Sequence, residues 1–451
     1  METAVARKPQ RGDELDLRVE SLAFGGNGVA RLDGYVVFVA GAVPGDRVRA
    51  LITKRKRDYA EARAVEVLEP SPDRIAPRAG HPGAPWQVLP YERQLEVKRA
   101  QVAEALRRLG RLGDVDVQPI VPAVQEWRYR NKAEFSFGAG PEGRLELGFH
   151  PPGRWYEVAP MAECLLVSER ADAARRTVLD WARAQGLSAF DRRTHEGLLR
   201  NLVVREGRRT GQLHLRLVIG DGDIDTGSLA AGVDADGLFV TRTDALAETT
   251  AGGETELVAG AVDLEEELAG LRFRISPEAF FQTNTEMAER LYGTAGDAAR
   301  LTGFERVYDL FCGIGTIALT LAPRAGEVWG LEVAEAAIAD AIRNARENEI
   351  ANARFFAGDV RLALRELVEL AGRPDVVVVD PPRAGLSAKV VRRIVEAAPK
   401  RIVYVSCNPT TLAPNAAQLV EAGYALGPVR PVDMFPQTPH IECVAVFDRK
   451  P

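Results

Sequence analysis

The side chain with the most chemistry to offer is Cys407, in Tyr404-Val405-Ser406-Cys407-Asn408-Pro409, downstream of Asp380-Pro381-Pro382-Arg383. A thiolate is suited to adding to an electron-poor carbon and leaving again. Such a cycle also needs a base. Glu442, in the alternating run Pro439-His440-Ile441-Glu442-Cys443-Val444-Ala445-Val446-Phe447, is the candidate. Flanking apolar residues would desolvate its carboxylate, raise its pKa and make it a stronger base. Most free cysteines are core thiols. That reading fits Cys312 and Cys443, inside or beside apolar strands, better than Cys407.

The elements that must position these groups follow a strand, turn, helix order. Arg306 to Phe311 is strand-like and enters the tight turn Cys312-Gly313-Ile314-Gly315-Thr316, ahead of a helix-compatible Ile317 to Leu321. A second apolar strand, Glu327 to Leu331, ends on Glu332, where an acid can bind the two hydroxyls of a ribose. A nicotinamide site also uses such a turn and acid, but Gly313-Ile314-Gly315 lacks the third glycine at the expected interval. After a helix-like Ala334 to Glu347, a third strand from Ala353 ends on Asp359. The fourth, Pro374 to Asp380, is a continuous β-branched run that must be buried on both faces. Each strand delivers a polar group to its carboxyl end, the edge of an open parallel sheet where ligands bind. The arrangement resembles a class I S-adenosylmethionine-dependent methyltransferase with a Rossmann-like α/β sheet.

Within that resemblance the cysteine narrows the chemistry. Methylating an amine or hydroxyl needs no covalent help, whereas carbon 5 of a uracil is a poor nucleophile until something adds to carbon 6. Phe280-Phe281-Gln282-Thr283-Asn284, Asp309 to Gly315, Asp380-Pro381-Pro382-Arg383-Ala384-Gly385, Ser406-Cys407-Asn408-Pro409 and His440-Ile441-Glu442 together resemble the RNA (uracil-5-)-methyltransferase family. The resemblance implies that Cys407 is the nucleophile and Glu442 the base. It implies that Gln282, Phe311, Glu332 and Asp380 contact S-adenosylmethionine, with Asp359 on the adenine side. Arg383 is a candidate donor to the uracil carbonyls or a phosphate, Phe280 or Phe281 could stack on an extruded base, and His440 would orient the strand that carries Glu442.

The rest of the chain has to explain substrate choice. Leu15 to Leu22, Gly28 to Leu32, Tyr35 to Val39, Asp46 to Thr53 and Tyr59 to Leu68 are short strand-like runs that suggest a small OB-type barrel over 8–69. It resembles a TRAM domain, an RNA-binding module found in front of some members of the same family. Lys54-Arg55-Lys56-Arg57 is its candidate phosphate contact. From 70 to 265 a proline-rich linker, an amphipathic helix over Leu95 to Leu112 and an inserted antiparallel sheet are expected, making a central α+β domain. Trp127 to Phe137 mixes basic and aromatic residues along a strand, which suits stacking and phosphate contact. The methyltransferase domain takes 266–451.

One departure from the family matters. Many relatives hold an iron–sulfur cluster through cysteines just before a Trp-Gln pair, but Arg78 to Gln87 contains none here, and Cys164 alone could match the fourth ligand. One thiolate cannot hold a cluster that takes four, so neither a cluster nor another metal is expected. With 46% hydrophobic and 27% charged residues the chain reads as a soluble multidomain protein. The start, Met1 to Pro9, has no apolar core for a signal peptide and no long apolar run follows, so a cytoplasmic monomer without membrane contact is expected. A net charge of −6 leaves RNA binding to local basic clusters.

The expected activity is methylation of carbon 5 of a uridine in structured RNA. The barrel favours 23S ribosomal RNA over transfer RNA, because the resemblance associates such a barrel with that substrate. An RNA cytosine-5 methyltransferase and a non-catalytic RNA-binding folding factor are the alternatives. The first lacks its Pro-Cys pair after the fourth strand, and intact Cys407, Glu442, Glu332 and Asp380 oppose the second.

Overall fold

The computed structural model describes residues 8–140, 143–151, 157–245, 250 and 252–450; the expectation drawn from the first residues of the chain falls outside them up to residue 7. Five strands, β1 (Glu14–Leu22), β2 (Gly28–Leu32), β3 (Tyr35–Ala40), β4 (Arg47–Arg55) and β5 (Tyr59–Glu69), close into a barrel in the order β1-β2-β3-β5-β4. Alternation drives the closure: Val37, Val39, Val48, Ala50 and Ile52 fill the interior while the residues between them keep exposed surface. Lys54 to Arg57 runs exposed from the end of β4 into the following turn.

Helix α1 (Tyr91–Arg108) begins earlier than the expected 95–112, directly after Pro90. Proline's fixed φ suits the entry to a helix, and Leu109-Gly110 ends it. The middle sheet combines β6 (Lys132–Ala139), β7 (Leu145–Gly148), β8 (Leu199–Glu206), β9 (Leu213–Ile219), β10 (Gly237–Arg242) and β11 (Glu254–Gly260) in the order β11-β10-β9-β8-β6-β7. Helices α2 (Glu169–Ala184) and α3 (Thr226–Gly232) pack on it. Its pairs are antiparallel except β9 with β10, a correction to the antiparallel expectation, because α3 makes the crossover that a parallel pair requires.

After the hairpin β12 (Leu264–Leu268) and β13 (Leu271–Ile275) comes α4 (Thr285–Ala299), and then the elements of the C-terminal sheet. These are β14 (Arg306–Leu310), α5 (Thr316–Leu321), β15 (Glu327–Glu332), α6 (Glu335–Glu347), β16 (Ala353–Ala357), α7 (Val360–Ala371) and β17 (Val376–Val379). They continue with α8 (Ala388–Ala397), β18 (Arg401–Ser406), α9 (Pro409–Glu421), β19 (Tyr424–Val432) and β20 (Glu442–Arg449). The strand order is β16-β15-β14-β17-β18-β20-β19, parallel as far as β18, with β20 inserted antiparallel between β18 and β19. Chain order reverses between β14 and β17, and at such a switch point a crevice opens at the carboxyl ends of the strands.

Core forms on both faces of this sheet. Val377 and Val379 pack with α7, α8 and α9 on one side, and Val376 and Val378 with α4, α5 and the hairpin on the other. Burying each valine contributes roughly 1.5–3 kcal/mol, which accounts for the unbroken apolar run up to Asp380. Val102, Ala105 and Leu106 of α1 join the first of these cores. Beyond α1, Gln118 N and Val121 N donate to Val429 O and Pro431 O, both at 2.9 Å, along the free edge of β19. Residues 91–121, assigned to the middle segment by sequence, thus pack with the C-terminal sheet. Among the described residues no helix is long and apolar enough to cross a membrane.

Candidate active site

Strand β18 ends with Ser406 paired to Cys443 of β20, so Cys407 and Glu442 are the residues next to that pair, close enough that the charge of Glu442 acts on the Cys407 thiol. Cys407 is half-buried and Glu442 is 3% exposed. The backbone around the thiol is fixed on both sides. Asn408 N donates to Ser406 Oγ at 3.2 Å, the Asn408 side chain caps α9 through Thr410 N at 3.0 Å, and its Nδ2 donates to Arg383 O at 3.1 Å.

Burial pushes the Glu442 carboxyl well above its usual range, with the neighbouring Asp380 adding to the rise and Arg383 opposing it. Glu442 Oε2 is buried without a hydrogen-bond partner. Asp380 keeps some surface open to the crevice but is walled in by protein, and burial pushes it up to about 7. Asp309 is pushed up by burial and then by Asp380 to about 8; its Oδ2 accepts from Ala318 N at 2.9 Å and its Oδ1 has no partner. The Cys407 thiol is raised by burial, then by Glu442 and Asp380, to about 12, with Arg383 pulling it down. A cation brought into the crevice would lower all four. Arg383 Nη2 donates to His440 Nδ1 at 3.0 Å, and burial together with the charge of Arg383 holds that imidazole down at about 4, so it stays a neutral acceptor.

On the other side of the switch point, Gly313 (φ +53°) and Gly315 (φ +85°) turn the chain from β14 into α5. A Cβ on Gly315 would sit 2.9 Å from the Phe355 ring. Phe311 is held at φ +68°, a strained value for a residue with a side chain, by its N–H donating to Leu331 O at 2.8 Å. Glu332 accepts from Val333 N at 2.8 Å, Ala334 N at 3.0 Å and Gly313 N at 3.3 Å, tying the tip of β15 to the glycine turn. Gln282 is buried, its backbone carbonyl accepting from Asn131 Nδ2 at 2.8 Å. Asp359 caps α7 through Arg361 N at 2.8 Å, and both of its oxygens also accept from the Arg361 guanidinium. Val333 and Leu362 are each largely exposed beside these acids. Sequence reasoning passed over them because a lone apolar side chain has no period to read. A glycine turn, an acid at the tip of the second strand, exposed aliphatic side chains and two raised carboxylates awaiting a cation fit S-adenosylmethionine.

Within the run Trp127 to Phe137, Trp127, Arg128, Arg130 and Lys132 keep part of their surface, while Tyr129 and Asn131 are turned inward. Tyr129 is fully buried, its hydroxyl donating to Pro436 O at 3.0 Å. Asn131 is buried too, its N–H donating to Thr283 O at 2.9 Å and its Nδ2 to Thr285 Oγ1 at 2.9 Å. These two side chains dock the middle segment onto the loops that carry Gln282 and Glu442, and neither is open to a base or a phosphate. Alternation of polar and aromatic residues reads the same for either use. Of the phenylalanine pair, Phe281 is core and Phe280 is 67% exposed. In the stretch without cysteines, His81 Nε2 lies 3.3 Å from Cys164 Sγ in a buried contact, and Gln87 Nε2 donates to Ala79 O at 2.8 Å. Among the described residues no three side chains of ligand type gather where they could hold a metal ion.

The raised carboxylates have a consequence for stability. Asp309 and Asp380 stand at about 8 and about 7 in the folded chain, above the ordinary value of 3.8, so their contribution is complete below that value and is lost as pH rises through 7 and 8. The melting temperature of the ligand-free protein should fall from roughly pH 4 to roughly pH 8 and level off above that. Asp309→Asn should flatten that fall, and an unchanged slope in the variant would refute the assignment.

Residues 255–450 match the family described as tRNA (Uracil-5-)-methyltransferase, and residues 8–65 match the TRAM domain. An uncharacterized RNA methyltransferase of Gloeobacter violaceus is 39% identical over 97% of each chain. Another, of Halalkalibacterium halodurans, is 37% identical over 98% of each. The crystal structure of Pyrococcus abyssi tRNA (uracil-54, C5)-methyltransferase in complex with S-adenosyl-L-homocysteine superposes with a TM-score of 0.79 at 27% identity, covering 96% of this chain and 99% of that one. Strand order, crevice and these likenesses agree: the chain belongs to the TRAM-domain-containing family of S-adenosylmethionine-dependent RNA (uracil-5-)-methyltransferases.

Proposed function

We propose that this protein methylates carbon 5 of a uridine in structured RNA through a covalent adduct on Cys407. The meeting of Cys407 and Glu442 beside the Ser406–Cys443 pair, where β18 joins β20 and the charge of Asp380 acts on both, carries the reading. The Cys407 sulfur adds to carbon 6 and the ring electrons move onto the carbonyl, where the Arg383 guanidinium can donate to the developing charge. S-adenosylmethionine supplies the electrophilic methyl group that carbon 5 then takes. Glu442 removes the carbon 5 proton, the electron pair restores the ring double bond, and the carbon–sulfur bond breaks to release the thiolate. Gln282, Phe311, Glu332 and Asp380 hold the methyl donor, and Asp359 joins them where Arg361 yields.

A uridine in folded RNA hides carbon 6 in the stack, so it has to be flipped out. The exposed ring of Phe280 is free to stack on it. Lys54 to Arg57 of the barrel takes flanking phosphates, which a chain of net charge −6 must bind locally. The barrel favours 23S ribosomal RNA as the substrate. Transfer RNA is the second reading, supported by the Pyrococcus enzyme, whose match extends over 96% of this chain. Mass spectrometry of ribosomal and transfer RNA from cells with and without the gene should show 5-methyluridine lost from one of the two. Loss of 5-methylcytidine, or of neither nucleoside, would refute the proposal.

A further inference from the structure

Residues 433–441, between β19 and β20, carry His440 and lead directly into Glu442, yet they form no helix or strand of their own. Tyr129 and Asn284 donate to Pro436 O and Met434 O, and a large share of what else holds the loop comes from α1. Lys98 Nζ lies 2.6 Å from Asp433 Oδ1, with both side chains fully buried, and also donates to Phe435 O at 3.0 Å. The Tyr91 hydroxyl donates to Asp433 Oδ2 at 2.8 Å. Gln94 grips the middle of the loop: its Nε2 donates to Gln437 Oε1 and its Oε1 accepts from Gln437 N, both at 2.9 Å. Positions 91, 94 and 98 recur at helical spacing, so one face of α1 presents all three. The barrel closes another side, where a Cβ on Gly26 would lie 3.0 Å from Pro439.

A buried ion pair adds little stability over apolar residues of the same volume, and its best-attested use is to select one arrangement among several. A loop with Gln437 at φ +66° has alternatives to select against. We propose that Tyr91, Gln94 and Lys98 are positioning residues that hold the Glu442 carboxylate beside Cys407. The inference rests on the covalent reading above. Cys407 is carried by β18 and does not depend on this loop, so the clamp acts at proton removal and leaves sulfur addition and methyl transfer alone.

The test uses full-length Lys98→Met and Tyr91→Phe with S-adenosylmethionine and unmodified transcripts of large-subunit ribosomal RNA and transfer RNA. Parallel transcripts carry 5-fluorouridine, which has no proton to remove. Both variants should trap the fluorinated RNA as the wild type does. On ordinary RNA Lys98→Met should lose about tenfold or more in kcat at unchanged KM, Tyr91→Phe less, and a methylated RNA–protein adduct should accumulate. Trapping and turnover falling together, in proportion to the folded fraction seen by circular dichroism, would overturn the clamp, as would unchanged turnover in both folded variants. Should Lys98→Met fail to fold, Tyr91→Phe, which loses a single hydroxyl, decides by the same outcomes. Wild-type protein that yields neither adduct nor methylated RNA removes the covalent reading, and the clamp with it.

Discussion

Cys407→Ala is expected to abolish methyl transfer, by on the order of 10⁵-fold or more, while S-adenosylmethionine still binds. The size of the effect follows from what the sulfur does. Carbon 5 of uracil has no useful nucleophilicity until carbon 6 is bonded, and no other half-exposed thiol is at hand: Cys164, Cys312 and Cys443 are all buried. Alanine in place of cysteine leaves the pairing of Ser406 with Cys443 and the Asn408 cap untouched, so the fold and the cofactor side of the crevice survive. Equilibrium binding of the methyl donor, single-turnover methylation and adduct trapping on 5-fluorouridine RNA separate these statements. A variant that still methylates RNA would end the covalent reading.

Glu442→Gln should behave differently, and the difference is diagnostic. Glutamine is nearly isosteric and cannot accept the carbon 5 proton, so one methyl group is transferred and the cycle then stalls. Turnover should drop by roughly 10²–10⁴-fold. A denaturant-resistant species containing protein, RNA and the donated methyl group should accumulate on ordinary uridine. The environment of Glu442 supports the role: burial raises its carboxyl, Arg383 opposes the rise, and Oε2 has no partner to satisfy it. Absence of the stalled adduct, with first-turnover methylation itself lost, would assign Glu442 to an earlier step. In the double variant Cys407→Ala/Glu442→Gln the loss should match that of Cys407→Ala alone, because the two groups act in sequence on one intermediate.

The elements around the crevice could be read along the chain wherever a local rule governs them. Val376–Val379 is apolar on both faces because the strand is covered on both. The glycine turn at Gly313 and Gly315 needs left-handed backbone that other residues resist. The barrel strands alternate because each has an inside and an outside. The same rules failed at Tyr129 and Asn131, whose polar groups satisfy loops distant in sequence, and at α1, whose apolar face does not say which sheet it joins.

Residue types, spacing and periodicity were thus enough to establish the barrel, the parallel strands with their terminal acids, and the candidacy of Cys407 and Glu442. Folding alone decided that the thiol and the carboxylate come together where β18 meets β20, that Arg383 is held by His440, and that α1 anchors the loop leading into Glu442. The physical reason is range. Strand alternation, glycine turns and helix entries are settled by neighbours within a few residues, whereas burial, pKa and the partner of a buried charge depend on groups brought together from tens to hundreds of residues apart.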